Sequence, residues 1–351
     1  MIDVRGAKLS VAEPRHDNLP WLDFSKATSL NTCPMWGHIR YVQKRAPRGD
    51  GRQLALEAGS ACHDVFAAAR FATLFETDHN DFAVERSRRH FGTTRHDEMF
   101  RHMGSGEQLA SRRFNYALEA LSTSGYYDDP RDRRRTLQNI EESCLYYLQN
   151  YHWDYWRPYV DEDADFIGVE VPFNILIELD HRKFRFVGRA DGLINNAFYD
   201  GQLEVHENKT GARINDAWAM SFHMSHQVTG YLEASKLVVP SGKGRDISNA
   251  VVLGLQIPLP RNVEAGGFVA ERVSRNTEQA ERWLKWLIGT YDEMMLYMDR
   301  PFDAPQYTHS CNRYFRPCQL IPFCQSTREE QEQMLYEEFE AHEWDPLSNE
   351  D

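Results

Sequence analysis

Apolar residues recur at intervals of three and four, between charged flanks, over residues 53–76, 107–123 and 133–157, and this spacing predicts helices. From residue 166 the period shortens to two. The runs 166–175, 183–195 and 202–209 predict strands, separated by turn residues such as Asp180-His181 and Asp200-Gly201. A long helix is then expected from about Asn215 to Leu237, a strand over 249–257, another over 267–273, and a helix from Thr277 to about Met298. Helix, three strands, helix, strand is an α/β order, with residues of about 76–160 forming a helical insertion. No internal repeat and no low-complexity linker interrupts it.

The strand over 202–209 carries the most chemistry. Strand residues alternate faces, so Leu203, Val205, Glu207 and Lys209 project to one side and Glu204, His206 and Asn208 to the other. A carboxylate and an ammonium therefore share a face, and Asp191 ends the preceding strand-like run. Two converging carboxylates suit a hard cation such as Mg²⁺, which polarises a phosphoryl oxygen and acidifies water, and a neighbouring lysine can orient that water or steady developing charge. Taken alone, Glu207 and Lys209 are equally an exposed ion pair. Glu170, between Val169 and Val171, is either a helper of such a site or a solvent-facing strand carboxylate. His63 on the first helix is either a partly buried structural residue or a metal ligand. His223 and His226 are three apart on one helix, polar or close to phosphate.

Six motifs in order resemble those of the RecB-like branch of the PD-(D/E)XK nuclease superfamily, in its iron–sulfur-containing form. They are Ser25 to Pro34 (SKATSLNTCP), Gly59 with His63 (GSACH), Gly188 to Asp191 (GRAD), Glu207 to Gly211 (ENKTG), Gln227 with Tyr231 (QVTGY), and the cysteines Cys311, Cys318 and Cys324. The resemblance implies a restriction-endonuclease-like central mixed sheet flanked by helices. It implies catalytic Asp191, Glu207 and Lys209, and Mg²⁺ or Mn²⁺ held by Asp191, Glu207, His63 and the backbone carbonyl of Asn208. Gln227 and Tyr231 would meet the nucleic acid or support Lys209. Cys33, Cys311, Cys318 and Cys324 would hold a [4Fe–4S] cluster, or structural zinc as the runner-up, clipping the two ends of the domain together. Two positions depart from the family pattern. Ala190 stands where the motif's name has proline, and six residues lie between Cys311 and Cys318 where the family has two. Cys62 and Cys144 read as small buried apolar residues.

Composition bounds these expectations. A chain of 351 residues, 41% hydrophobic, is long enough for a large core. No apolar run approaches the roughly 20 residues of a spanning helix, and the N-terminus lacks a signal-like apolar core, so a cytoplasmic protein without structural disulfides is expected. The net charge of −13 argues against a DNA enzyme until it is located: residues 327–351 carry −9 of it. Basic clusters stand at Lys44, Arg45, Arg48 and Arg52; at Arg86, Arg88 and Arg89; at Arg112 and Arg113; and at Arg131, Arg133, Arg134 and Arg135. They suit phosphate contacts or are solvated helix faces. The expected organisation is an N-terminal extension (1–20), one nuclease domain (21–326) with its cysteine segment at 311–324, and an acidic, solvated tail (327–351). The expected activity is hydrolysis of DNA, single-stranded by preference because Trp36, Tyr41, Trp153 and Trp156 are available to stack on bases. The alternatives are a non-catalytic DNA-binding or assembly subunit and a zinc-stapled scaffold. The chain has no G-x-x-x-x-G-K-[ST] phosphate loop, so a helicase or recombination partner would be a separate polypeptide.

Overall fold

The structure, a computed structural model, describes residues 6–48, 54–75, 77–103, 109–259, 267–313 and 316–347. Arg52, the middle of the cysteine segment at 314–315 and the last acidic residues lie outside them. The fold is α/β, built on a mixed eight-stranded sheet flanked by helices. Six strands run in sheet order β1 (Lys8–Val11), β2 (Val169–Leu179), β3 (Arg182–Asn196), β4 (Gln202–Gly211), β5 (Asn249–Gln256) and β6 (Gly267–Ser274). Two short strands, Trp21–Leu22 and Trp156–Pro158, also pair with β3. Chain neighbours β3 and β4 are antiparallel, β4 and β5 are parallel, and β5 and β6 are antiparallel. The parallel step needs a crossover. Residues 212–248 supply it.

The α-helices of five or more residues, in chain order, are α1 (Phe24–Thr32), α2 (Leu54–Ala72), α3 (Asn80–Phe91), α4 (Thr93–His102), α5 (Leu109–Ser122), α6 (Leu137–Asn150), α7 (Asp216–Ser221), α8 (His226–Val238), α9 (Thr277–Leu296), α10 (Ile321–Gln325) and α11 (Arg328–Glu337). Two compact units emerge. One comprises the described residues of Met1–Arg52, Asn174–Gly188 and Thr277–Ser348, the other those of Gln53–Phe173 and Arg189–Asn276. Strands β2 and β3 contribute to both.

In the second unit α2 is apolar on almost every face. Ala58, Ala61, Cys62, Val65, Phe66, Ala69 and Phe71 are buried in one core with Tyr116, Tyr147, Val251 and Leu253. The segment expected as an insertion is thus part of this core. Phe66 packs on Tyr147 of α6, with centroids 4.2 Å apart. Trp156 is core as well, packing edge-on to His206 and Tyr151, so its ring serves the interior. Trp153 is partly buried against the same core and donates to the Leu148 carbonyl at 2.9 Å. Helix α6 ends at Asn150, earlier than the predicted 157, because Tyr151 turns extended and the chain enters the short strand at Trp156.

The long helix predicted for 215–237 is broken. Ser225 is extended and caps α8. Arg275 satisfies the carbonyls that the break exposes, donating to Phe222 O at 2.7 Å and Ser225 O at 3.3 Å.

In the first unit, the expectation of a solvated tail is overturned. Thr327 and Glu330 form a capping box on α11, and Gln331 donates to the Phe323 carbonyl at 2.9 Å. Residues Phe339–Ala341 pair antiparallel with Arg45–Pro47. Phe339 is buried with Met35, Ile39, Leu320 and Phe323, and Trp344 donates to Asp23 Oδ2 at 3.0 Å. The apolar residues spaced among the acids anchor the segment, and the acids face out. The expected N-terminal extension likewise contains β1, which pairs with β2.

His38 in this unit is fully buried, and neither ring nitrogen has a hydrogen-bond partner among the described residues. Burial, then the charge of Lys26, lowers its pKa from 6.5 to about 4. Between those values the unfolded chain binds a proton that the folded chain does not. The stability held by neutral His38 is complete above about pH 6.5 and is lost as pH falls toward 4. Urea unfolding from neutral pH downward should show the protein losing about 1.4 kcal/mol per pH unit relative to His38→Gln, which cannot titrate. Parallel curves for the two proteins would refute this.

Candidate metal centre

The ladder between β3 and β4 ends at Gly192 opposite His206. Just beyond it the carboxylate of Asp191 takes over, its Oδ2 accepting the Asn208 N–H at 2.6 Å. A side chain thus replaces a strand carbonyl at the point where the strands part. Glu207 and Lys209 follow on β4, and Lys209 Nζ donates to Glu207 Oε1 at 2.6 Å. From α2, His63 brings Nδ1 to 3.6 Å from Asp191 Oδ1. Glu170 of β2 completes the group, so that His63, Glu170 and Asp191 each offer a ligand atom within 4.8 Å of the other two.

The backbone at Glu170 is unusual. Its φ of 47° lies in the left-handed region, which a non-glycine residue seldom occupies and which concentrates at functional sites. Its neighbours Val169 and Val171 are buried, and the Glu170 carboxylate lies on the other face, beside Asp191 and His63. Glu170 Oε1 and Glu207 Oε2 are buried and have no hydrogen-bond partner among the described residues. Buried carboxylate oxygens of this kind are costly unless paired or metal-bound.

Electrostatics agree with the geometry. Burial, followed by the charge of Asp191, lifts Glu170 well above the usual carboxylate range. The same two causes push Glu207 up to about 7 against the opposing pull of Lys209. Burial alone would lower Lys209, but Glu207 and Asp191 outweigh it and hold the ammonium above its ordinary value. Burial lowers His63, more than Asp191 raises it, leaving a neutral imidazole with a free lone pair. Three oxygen donors and a neutral imidazole suit Mg²⁺ or Mn²⁺.

Of the residues expected at the metal, His63 and Asp191 fall in one group with Glu170, while Asn208 adjoins it through its N–H on Asp191 and Glu207 is paired with Lys209. Arg70 and Tyr147, which reach Asn208 Oδ1 at 3.1 and 3.4 Å, were not anticipated. The one signal for Arg70 is a charged residue inside the apolar run of α2. Gln227 donates to Tyr231 Oη at 3.2 Å on α8, and Tyr231 packs edge-on to Phe173 of β2. His223 pairs with Glu271 at 2.7 Å. Many of the basic clusters are tied to acids: Arg86 to Asp165, Arg88 to Asp97, Arg131 to Asp129 and Arg135 to Asp132.

The first unit holds the other candidate site. Burial pushes the Cys324 thiol up to about 12, and its neighbours Cys33, Cys318 and Cys311 add to the shift, so all four thiols lie within electrostatic reach. The Cys318 N–H donates to the Cys311 carbonyl at 2.7 Å, a short link that closes the six-residue gap. Among the described residues no three cysteines have sulfurs within 4.8 Å of one another. The six cysteines are free, and the described residues form no clear cluster site. Cys62 and Cys144 are fully buried with sulfurs 3.9 Å apart, as small core residues. Compared with known proteins, the chain matches no protein-family model and no curated protein. No helix among the described residues is long and apolar enough to cross a membrane.

Proposed function

We propose that the chain is a metal-dependent nuclease of the RecB-like PD-(D/E)XK type, hydrolysing DNA phosphodiesters and stabilised by a [4Fe–4S] cluster on Cys33, Cys311, Cys318 and Cys324. The observation that carries this reading is the convergence of Asp191, Glu207, Lys209, Glu170 and His63 at the parting of β3 and β4. His63, Glu170, Asp191 and Glu207, with the Asn208 carbonyl, would hold Mg²⁺ or Mn²⁺. When bound, the cation supplies Lewis-acid activation of water and neutralises charge on the phosphoryl oxygens.

The protein's own groups account for the rest. Asp191 fixes the Asn208 backbone between Glu207 and Lys209. Lys209, kept protonated by its carboxylate neighbours, acts as a donor that orients the attacking water or steadies the pentavalent phosphorus. The neutral His63 imidazole contributes an electron pair without adding charge.

The test incubates anaerobically purified protein with end-labelled single- and double-stranded DNA in Mg²⁺, Mn²⁺ or EDTA. Cutting that requires the metal is expected, and the product ladder gives polarity and strand preference. A folded protein that binds DNA and cuts none of these substrates would instead establish the non-catalytic subunit.

A further inference from the structure

Arg70 is a charge with no evident reason to be where it is. It lies two turns after His63 on α2 and is fully buried, and its Nε and Nη1 lack hydrogen-bond partners among the described residues. Its Nη2 donates to Asn208 Oδ1 at 3.1 Å. Asn208 stands between Glu207 and Lys209, and its N–H is the one bonded to Asp191. Space for the guanidinium comes from Gly192, directly after Asp191: a Cβ there would lie 2.8 Å from Arg70 Nε and 3.2 Å from its Cζ. Isolated charges are not buried at random, because desolvating one costs several kcal/mol. Glu170 and Asp191 are among the groups whose charge acts on Arg70. The face of β4 that carries Asn208 is opposite the one that carries Glu207 and Lys209, so the guanidinium approaches from behind the acids.

We propose that Arg70 is the positioning residue of the metal centre. It locks the Asn208 side chain, and with it the placement of Glu207 and Lys209. It also provides a permanent positive charge behind Glu170, Asp191 and Glu207, so that the three remain grouped before a cation arrives. Gly192 is its partner, kept small to admit it. The inference rests on the nuclease reading of the centre and extends it to a residue that touches neither substrate nor metal.

The test is calorimetric titration of the full chain with Mn²⁺ at neutral pH, with Mn²⁺ paramagnetic resonance as a second readout and circular dichroism to confirm folding. Arg70→Met should bind Mn²⁺ about 10- to 100-fold more weakly, the usual cost of losing a group that orients a metal's ligands. Arg70→Lys should recover part of the loss, since it restores the charge and not the fork. Gly192→Ala, which displaces the guanidinium without removing it, should move in the same direction as Arg70→Met and covers the case in which the latter does not fold. Folded Arg70→Met or Gly192→Ala protein binding Mn²⁺ within about twofold of the parent would leave Arg70 a purely structural residue and overturn the proposal. A parent chain that binds no Mn²⁺ removes the metal centre itself, a failure distinct from the first because it appears before any variant is compared.

Discussion

Lys209→Ala should lower metal-dependent DNA cleavage by about 10²- to 10³-fold, the range found when one donor to a developing anion is deleted, while leaving the fold and Mn²⁺ binding nearly intact. The asymmetry follows from where the ammonium stands. Its side chain is 28% exposed and contacts Glu207 through one ion pair, so its loss removes little packing. It carries no lone pair while protonated, so it is not a ligand. Its removal does leave Glu207 without its one hydrogen-bond donor among the described residues and raises that carboxylate's proton affinity further, because burial and Asp191 are then opposed chiefly by the more distant Arg70. The variant should therefore need a higher pH for full Mn²⁺ occupancy. Asp191→Ala differs in kind: it removes a ligand and the acceptor of the Asn208 N–H together, and metal binding should fail along with cleavage. Single-turnover cleavage beside Mn²⁺ titration separates the two. Equal loss of metal affinity in both variants would contradict the role given to Lys209.

Cys324→Ser should abolish the visible absorption expected of a [4Fe–4S] cluster and lower the stability of the first unit by several kcal/mol. A link between residue 33 and residues 311–324 closes a very long loop, and the entropy removed from the unfolded chain by such a cross-link corresponds to about 5 kcal/mol. The core beneath these cysteines consists chiefly of Met35, Ile39, Leu320, Phe323 and Phe339, and the strand Phe339–Ala341 adds three paired residues. Thermal melts of anaerobic parent and variant, with iron, sulfide and zinc content, decide the matter. A colourless parent with one zinc per chain would replace the cluster with the tetrahedral alternative, and equal melting of parent and variant would remove the staple altogether.

The strands were readable because their code is local. Alternation placed β2 through β6 within a few residues of their observed bounds, and turns at Asp180 and Asp200 take the left-handed backbone that such residues tolerate. Asp191, Glu207 and Lys209 were readable for the same reason, since a strand fixes which side chains share a face. Glu170 escaped that logic because alternation puts it opposite Val169 and Val171, on the less buried face, and says nothing of the groups it meets there. Arg70 was hidden because its meaning depends on what is missing from Gly192, a residue more than a hundred positions away. The break at Ser225 depends on Arg275, also far along the chain, to satisfy its carbonyls. The last segment, read by charge, proved to be anchored by Phe339 and Trp344: ten acids outweighed two rings in the count but not in the core.

The division of the chain into interleaved units has a consequence for how the protein is made. Every described segment of the unit that carries Asp191 and Glu207 is synthesised by residue 276, whereas the other unit draws on described residues from Gly6 to Leu347. On the ribosome the metal-centre core can condense while its companion is still incomplete. Cys311, Cys318 and Cys324 are made long after Cys33, and during that interval α1 lacks α9, whose Thr290 accepts from Asn31. Any link among the four cysteines thereby follows synthesis of the unit that carries Asp191, Glu207 and Lys209.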